Sequence, residues 1–268
     1  MVVKSAEVFR KMRRKLAVIF LVAAALTQTA IGVTAADGEL TAEELRETNA
    51  LAQLFVKRMT ETNDVAVVVD ELFVPDFIDR YLNGPESEPF IFIQPGLARR
   101  LPRDELLRYY VANINFRHLS DLYLYGKFGG DQKAEREHRY PPAISRLVNR
   151  VNANYETIEN ADEDTDAEVA AAVARLRASL DMLERVSGLL RGEVSGRKLS
   201  QSARYKKAVA DWGERFKFYK PWLSACAEGC YGLPAGSRLF IVNVPSFQLK
   251  VALAGGGAKI VSAMPYFD

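Results

Sequence analysis

The sequence predicts an α+β fold, predominantly α-helical, with one long antiparallel helical hairpin and a closing antiparallel β-hairpin. Three observations predict it. Apolar residues recur every three to four positions through most of residues 41–220. Near Phe247 the period changes to two, the spacing of a half-buried strand. Gly and Pro gather where the helical pattern breaks.

The first segment is an export signal. Lys11, Arg13, Arg14 and Lys15 directly precede the unbroken apolar run Leu16–Leu26, and small residues end the segment at Val33-Thr34-Ala35-Ala36. The apolar run partitions into a membrane and the basic cluster stays on the cytoplasmic side. Signal peptidase then requires small side chains just before its cut. This predicts a signal peptide over residues 1–35 and a mature body over 36–268. A start at Met12 gives the leader a more usual length. The alternative is an uncleaved membrane anchor, since Leu16–Ala36 carries no charge over 21 residues. Thr27, Gln28, Thr29, Gly32 and Thr34 make its second half a poor membrane span. The Arg13-Arg14 pair also fits twin-arginine export.

The leader changes the charge argument. The whole chain is +2, with 36 basic and 34 acidic residues. Residues 1–35 hold six bases and one acid, so the remainder has 30 bases, 33 acids and a net charge of −3. Overall charge therefore gives no support for nucleic-acid binding. A body of this length buries a substantial core as a single α-rich domain.

Thr41 with Glu44 three residues later reads as a capping box opening a helix over 41–61, with Leu45, Leu51, Leu54, Phe55 and Met59 on its buried face. Asp64 caps a shorter helix, Val65–Leu72, and Pro75 and Asp76 restart the chain into Phe77–Tyr81. Residues 83–102 hold Gly84, Pro85, Pro89, Pro95, Gly96 and Pro102, a density of breakers that predicts a loop. Within it, Phe90-Ile91-Phe92-Ile93 reads as a short strand or a pinned loop. Pro102 then opens a helix over 103–126, with Asp104 and Glu105 in the first turn where the dipole favours acids. Its apolar spine is Leu107, Val111, Ile114, His118, Leu122 and Tyr125. Residues 126–142 are polar and read as an excursion.

Ile144, Val148, Val151, Tyr155 and Ile158 alternate in steps of four and three, as do Val169, Val173, Leu176, Leu180 and Leu183. Heptad spacing on both sides of an acidic turn, with Thr165 and Glu168 as a second capping box, predicts the helical hairpin 143–190. A further helix is expected over 203–220, with Tyr205, Val209, Trp212, Phe216 and Tyr219 on one face and Pro221 ending or bending it. The β-hairpin spans 238–265. Leu239–Val244 is mostly apolar and expected to be buried on both faces, Pro245 implies a bulge or kink, and Gly255-Gly256-Gly257 makes the turn.

Few residues carry chemistry. His118 has Asp121 one helical turn later, a pattern that can serve as a general base and its orienter. The structural alternative is a core histidine satisfied by a neighbour. His138 follows Glu135 in a Glu-x-x-His pattern, yet the second such pair and further carboxylates of a metal-binding bundle are missing. No metal or cofactor is therefore expected. The chain has no Gly-x-Ser-x-Gly elbow, Ser-x-x-Lys, His-Glu-x-x-His, P-loop or Gly-x-Gly-x-x-Gly turn. Cys226 and Cys230 are the only cysteines and read as a structural disulfide outside the cytoplasm. Their spacing requires a broken helix, for which Gly229, Gly232 and Pro234 provide, and closing so small a loop contributes about 2 kcal/mol. A redox role fits less well, because the spacing is not Cys-x-x-Cys. Residues 191–220 hold nine bases interleaved with aromatics, suited to a polyanion or membrane surface, or simply to the solvated face of an amphipathic helix.

Asp64–Tyr81, DVAVVVDELFVPDFIDRY, resembles the second helix of the nuclear transport factor 2-like superfamily, and the closing AKIVSAMPYFD resembles its last strand. The resemblance implies helices and a curved sheet around a pocket, and covers about thirty residues. It assigns no site residue, and the helical reading of 103–222 departs from it.

The expectation is thus an exported, periplasmic or secreted, non-catalytic binding or structural protein of a bacterial envelope, with a protein or envelope partner. Two alternatives stand beside it. One is an extracytoplasmic enzyme with a pocket at His118 and Asp121. The other is attachment to polyanions or membranes through 191–220 or an uncleaved N-terminus.

Overall fold

A computed structural model describes residues 41–75, 77–78, 100–128, 140–159, 166–196, 203, 206–207, 210, 219–223, 237–244, 246–254 and 257–265. The expected leader, the 90–93 segment, Thr165, His138, Pro245 and the cysteine pair lie outside these residues.

Helix α1, Ala42–Glu61, begins at Thr41, whose hydroxyl accepts the Glu44 N–H at 3.2 Å while the Glu44 carboxylate accepts the Thr41 N–H at 2.8 Å. This is the expected capping box. Helix α2, Val65–Leu72, is capped by Asp64, whose carboxylate accepts the Ala66 and Val67 N–H groups. At its other end the Lys259 ammonium donates to the Asp70 and Glu71 carbonyls, satisfying groups that the helix leaves open. Arg58 donates to Glu71 at 2.7 and 2.8 Å and ties the two helices together. Phe77 and Ile78 are helical and buried, as expected of the restart after Pro75.

Helix α3, Arg103–Phe128, runs two residues further than expected. Val111, Ile114, His118 and Leu122 of its expected spine are buried, whereas Leu107 is only partly so. Tyr109, Tyr110, Ala112, Asn113, Asn115, Leu119, Ser120 and Tyr123 are buried as well. The helix thus lacks a broad solvent face in its middle, because it is packed on several sides at once.

Helices α4, Pro142–Glu159, and α5, Asp166–Ser195, form the expected hairpin. Asn154 donates to Ser179 near the turn, while Ile144 and Leu147 at the start of α4 meet Val186 and Leu190 far along α5, as an antiparallel pair requires. The hairpin does not stand apart. Arg177 pairs with Glu105 at 2.8 Å and Arg108 with Glu184 at 2.9 Å, fixing α5 parallel to α3. Val151, Ala172, Leu176, Leu180 and Leu183 join the main core. A second cluster joins Leu119, Leu122 and Tyr123 of α3 to both helices of the hairpin.

The C-terminal β-structure is larger than a hairpin. Strands β1, Tyr219–Leu223, β2, Arg238–Val244, β3, Phe247–Ala254, and β4, Gly257–Pro265, form one antiparallel sheet in the order β1-β2-β3-β4. Tyr219 therefore starts a strand rather than ending a helix, because Tyr219–Leu223 pairs with the outer edge of β2. Pro221 sits on this edge strand, next to a register shift between Pro221 and Leu223, where a missing N–H is tolerated. Ala203, Lys206, Lys207 and Ala210 are helical, as expected. Strand β3 is central and buried on both faces, including Ala252 and Lys250. In β2 the expected two-sided burial is partial, since Ile241 and Asn243 retain some exposure.

Two tight connections shape the sheet. Val244 pairs with Phe247 across a two-residue link in which Ser246 has φ 72°. Ala254 pairs with Gly257, whose φ of 103° excludes a side chain without strain. Helix α1 lies against the sheet, with Phe55 edge-on to Phe247 at 5.7 Å and Arg238 paired with Glu44 at 2.6 Å. The free edge of β4 is also occupied: Val74 N–H donates to the Ile260 carbonyl, and Ala263 N–H to the buried Tyr110 hydroxyl. Desolvation raises the Tyr110 pKa and outweighs the bond from Ala263, so the phenol stays neutral. No described helix is long and apolar enough to cross a membrane.

Candidate functional site

The turn between α1 and α2 gathers the densest polar cluster that involves a predicted site residue. Thr62 ends α1 in extended conformation, and its hydroxyl accepts the Asp64 N–H at 2.9 Å. The Thr62-Asn63-Asp64 break follows from the preference of these short polar side chains for caps over helix interiors. It presents the Thr60 and Thr62 carbonyls and the Asn63 side chain to the two long helices behind it.

Helix α3 contributes Asn115 and His118, three residues apart and both fully buried. The Asn115 Nδ2 donates to the Thr62 carbonyl at 2.6 Å and to Asn63 Oδ1 at 2.8 Å. His118 Nε2 lies 3.0 Å from Thr60 Oγ1. The Thr60 hydroxyl already donates to the Val56 carbonyl at 2.8 Å, so it accepts from the ring, and the proton is on Nε2. At that nitrogen the ring is a donor within the fold.

Helix α5 contributes Arg191. Its Nε donates to the Thr60 carbonyl at 2.8 Å and its Nη2 to Asn63 Oδ1 at 2.8 Å. The side chain is half-buried, and desolvation lowers its pKa from the ordinary arginine value. No carboxylate pairs with it among the described residues. Arg191 is thus turned inward, which corrects its place on the expected solvated basic face of 191–220. Lys206 and Lys207 of that stretch are exposed.

Asp121 sits on α3 one turn beyond His118, and its carboxylate meets Arg117 at 3.5 Å, with both side chains about one-third exposed. Both candidates therefore have partners inside the fold. A general base must reach a substrate proton directly or through one water, and a fully buried ring is shielded from any solvent-borne substrate. Among the described residues no three His, Cys, Asp or Glu side chains gather as a metal site would require. A shallow hollow of about 410 Å³ lies elsewhere, along the outer face of α1 beside Leu45, Arg46 and Asn49.

His118 stands out in the sequence, whereas Thr60, Asn63 and Asn115 do not. The signal was present: Asn113 and Asn115 interrupt the apolar stretch Tyr109–Phe116, and buried amides need partners. Which partners they find depends on the folded turn. Compared with known proteins, the chain matches no family model, and no curated protein or solved structure is significantly similar to it.

Proposed function

We propose that this chain is an exported, non-catalytic binding or structural protein of a cell envelope, freed from its leader after Ala35 and stapled by a Cys226–Cys230 disulfide. The observation that carries the reading is the pairing of basic cluster, apolar run and small-residue exit within residues 11–36. Two structural features favour binding over catalysis. His118, the candidate base, is buried and donates to Thr60 from Nε2. Asp121, its candidate orienter, is turned to Arg117 at 3.5 Å.

Expression of the full chain, followed by fractionation, intact mass measurement and cross-linking in envelope extracts, tests this reading. Support is an extracytoplasmic product beginning at Ala36, without free thiols, that cross-links to a partner or to itself. An intact N-terminus on a cytosolic product with two free thiols overturns it, as does a lone, partnerless exported species.

A further inference from the structure

The Arg191 guanidinium is fixed in place but only half used. Its Nε and one Nη2 proton bond the Thr60 carbonyl and Asn63 Oδ1. Among the described residues the two Nη1 protons and the second Nη2 proton have no partner, and together they form the end-on fork that matches a carboxylate or phosphate bidentately. The side chain is too far buried to be freely solvated, and no acid neutralises it among the described residues.

A second donor sits beside the fork. The Asn63 amide is oriented by its oxygen, which accepts from both Asn115 and Arg191. Its nitrogen therefore points away from both and has no hydrogen-bond partner among the described residues. Asp64, the nearest acid in sequence, turns its carboxylate to the N–H groups of Ala66 and Val67 at the start of α2. Gly188 and Gly192, three residues before and one after Arg191 on α5, each have nothing within 4 Å of where a Cβ would stand.

The geometry points to a binding site for a small oxyanion, a carboxylate or phosphate, where the α1–α2 turn meets α5. The Arg191 fork clasps two of its oxygens and the Asn63 Nδ2 donates to one. Fixing the guanidinium beforehand removes most of the ordering entropy that an exposed arginine loses on binding. The inference goes beyond the proposed function, because it holds whether or not the leader is removed and whether the bound group is free or carried by a partner.

Calorimetric titration of the full chain with inorganic phosphate and with acetate, against sodium chloride at matched ionic strength, tests it. Saturable binding with a dissociation constant on the order of 1 mM is expected for one of the two ions. The tighter ion identifies the headgroup: acetate stands for a protein carboxylate, phosphate for a phosphoryl group. The decisive variant is Asn63→Asp. It keeps an oxygen for Arg191 and Asn115, removes the amide donor and supplies an internal carboxylate, so binding should fall at least tenfold in a folded protein. Arg191→Lys keeps the charge but not the fork and should weaken binding about tenfold. No saturable binding of either ion, or binding unchanged in Asn63→Asp, overturns the proposal.

Discussion

Asn115→Ala probes the attachment of the α1–α2 turn to the long helices. The substitution removes two hydrogen bonds, to the Thr62 carbonyl and to Asn63 Oδ1. At about 1 kcal/mol net each, they account for about 2 kcal/mol. Neither acceptor is stranded in the dry interior, since Thr62 and Asn63 keep some exposure and Asn63 Oδ1 retains Arg191. The vacated carboxamide leaves a small void in a fully buried site, worth about 1 kcal/mol more. Against this, Asn115 Oδ1 is buried without a hydrogen-bond partner among the described residues, and deleting it returns about 1 kcal/mol. The balance is a loss of about 2 kcal/mol, read from the denaturant midpoint at unchanged slope. A loss within about 0.5 kcal/mol of zero, the range of ordinary surface changes, would refute the reasoning.

Ser246→Gly should stabilise by about 1 kcal/mol, because it relieves a left-handed residue and deletes a buried Oγ without a partner among the described residues; a lower melting temperature contradicts this. Gly188→Ala should add about 1 kcal/mol, since the position is inside α5 with open space around a new Cβ, and thermal denaturation decides the sign. Burial pushes the Glu44 carboxyl up, but bonds from the Thr41 N–H, the Thr41 hydroxyl and Arg238 together outweigh it and hold the pKa below the ordinary glutamate value. A depressed folded pKa gives stability that is present above the unfolded value of about 4.3 and lost as pH falls through the folded one. Glu44→Gln should therefore flatten the acid limb of the melting temperature below about pH 4, and an unchanged limb would exclude Glu44 as its source.

Local signals made much of the fold legible. The Thr41–Glu44 box, the Asp64 cap and the heptads of α4 and α5 each depend on neighbours within one or two helical turns, so their pattern survives without knowledge of the fold. The strand itself at β3 is equally local, but its burial on both faces, with Lys250 and Ala252 covered where alternation predicts a solvated face, is set by what packs on it. Features set by distant partners were not legible. Tyr219 belongs to a strand because β2 offers an edge, and Val261 is an extra residue because Lys250 pairs with Ser262 while the next residue, Val251, pairs with Ile260. The burial of α3 on several sides depends on α1, α5 and the sheet arriving together, whereas the sequence pattern shows only the one apolar spine. The cluster at the α1–α2 turn is the clearest case. His118 was visible as a polar residue on an apolar spine, but Arg191, 73 positions away, reads as one more base in a charged stretch until the fold brings it to Thr60.

His118 serves as an internal donor that helps hold the α1–α2 turn. Long-range proton–nitrogen NMR of its imidazole near neutral pH reads this directly. The structure predicts a slowly exchanging proton on Nε2, correlated with the Thr60 hydroxyl. A ring that exchanges at the solvent rate, or carries its proton on Nδ1 with Nε2 left as an acceptor, would contradict the account and return His118 to the role of an accessible base.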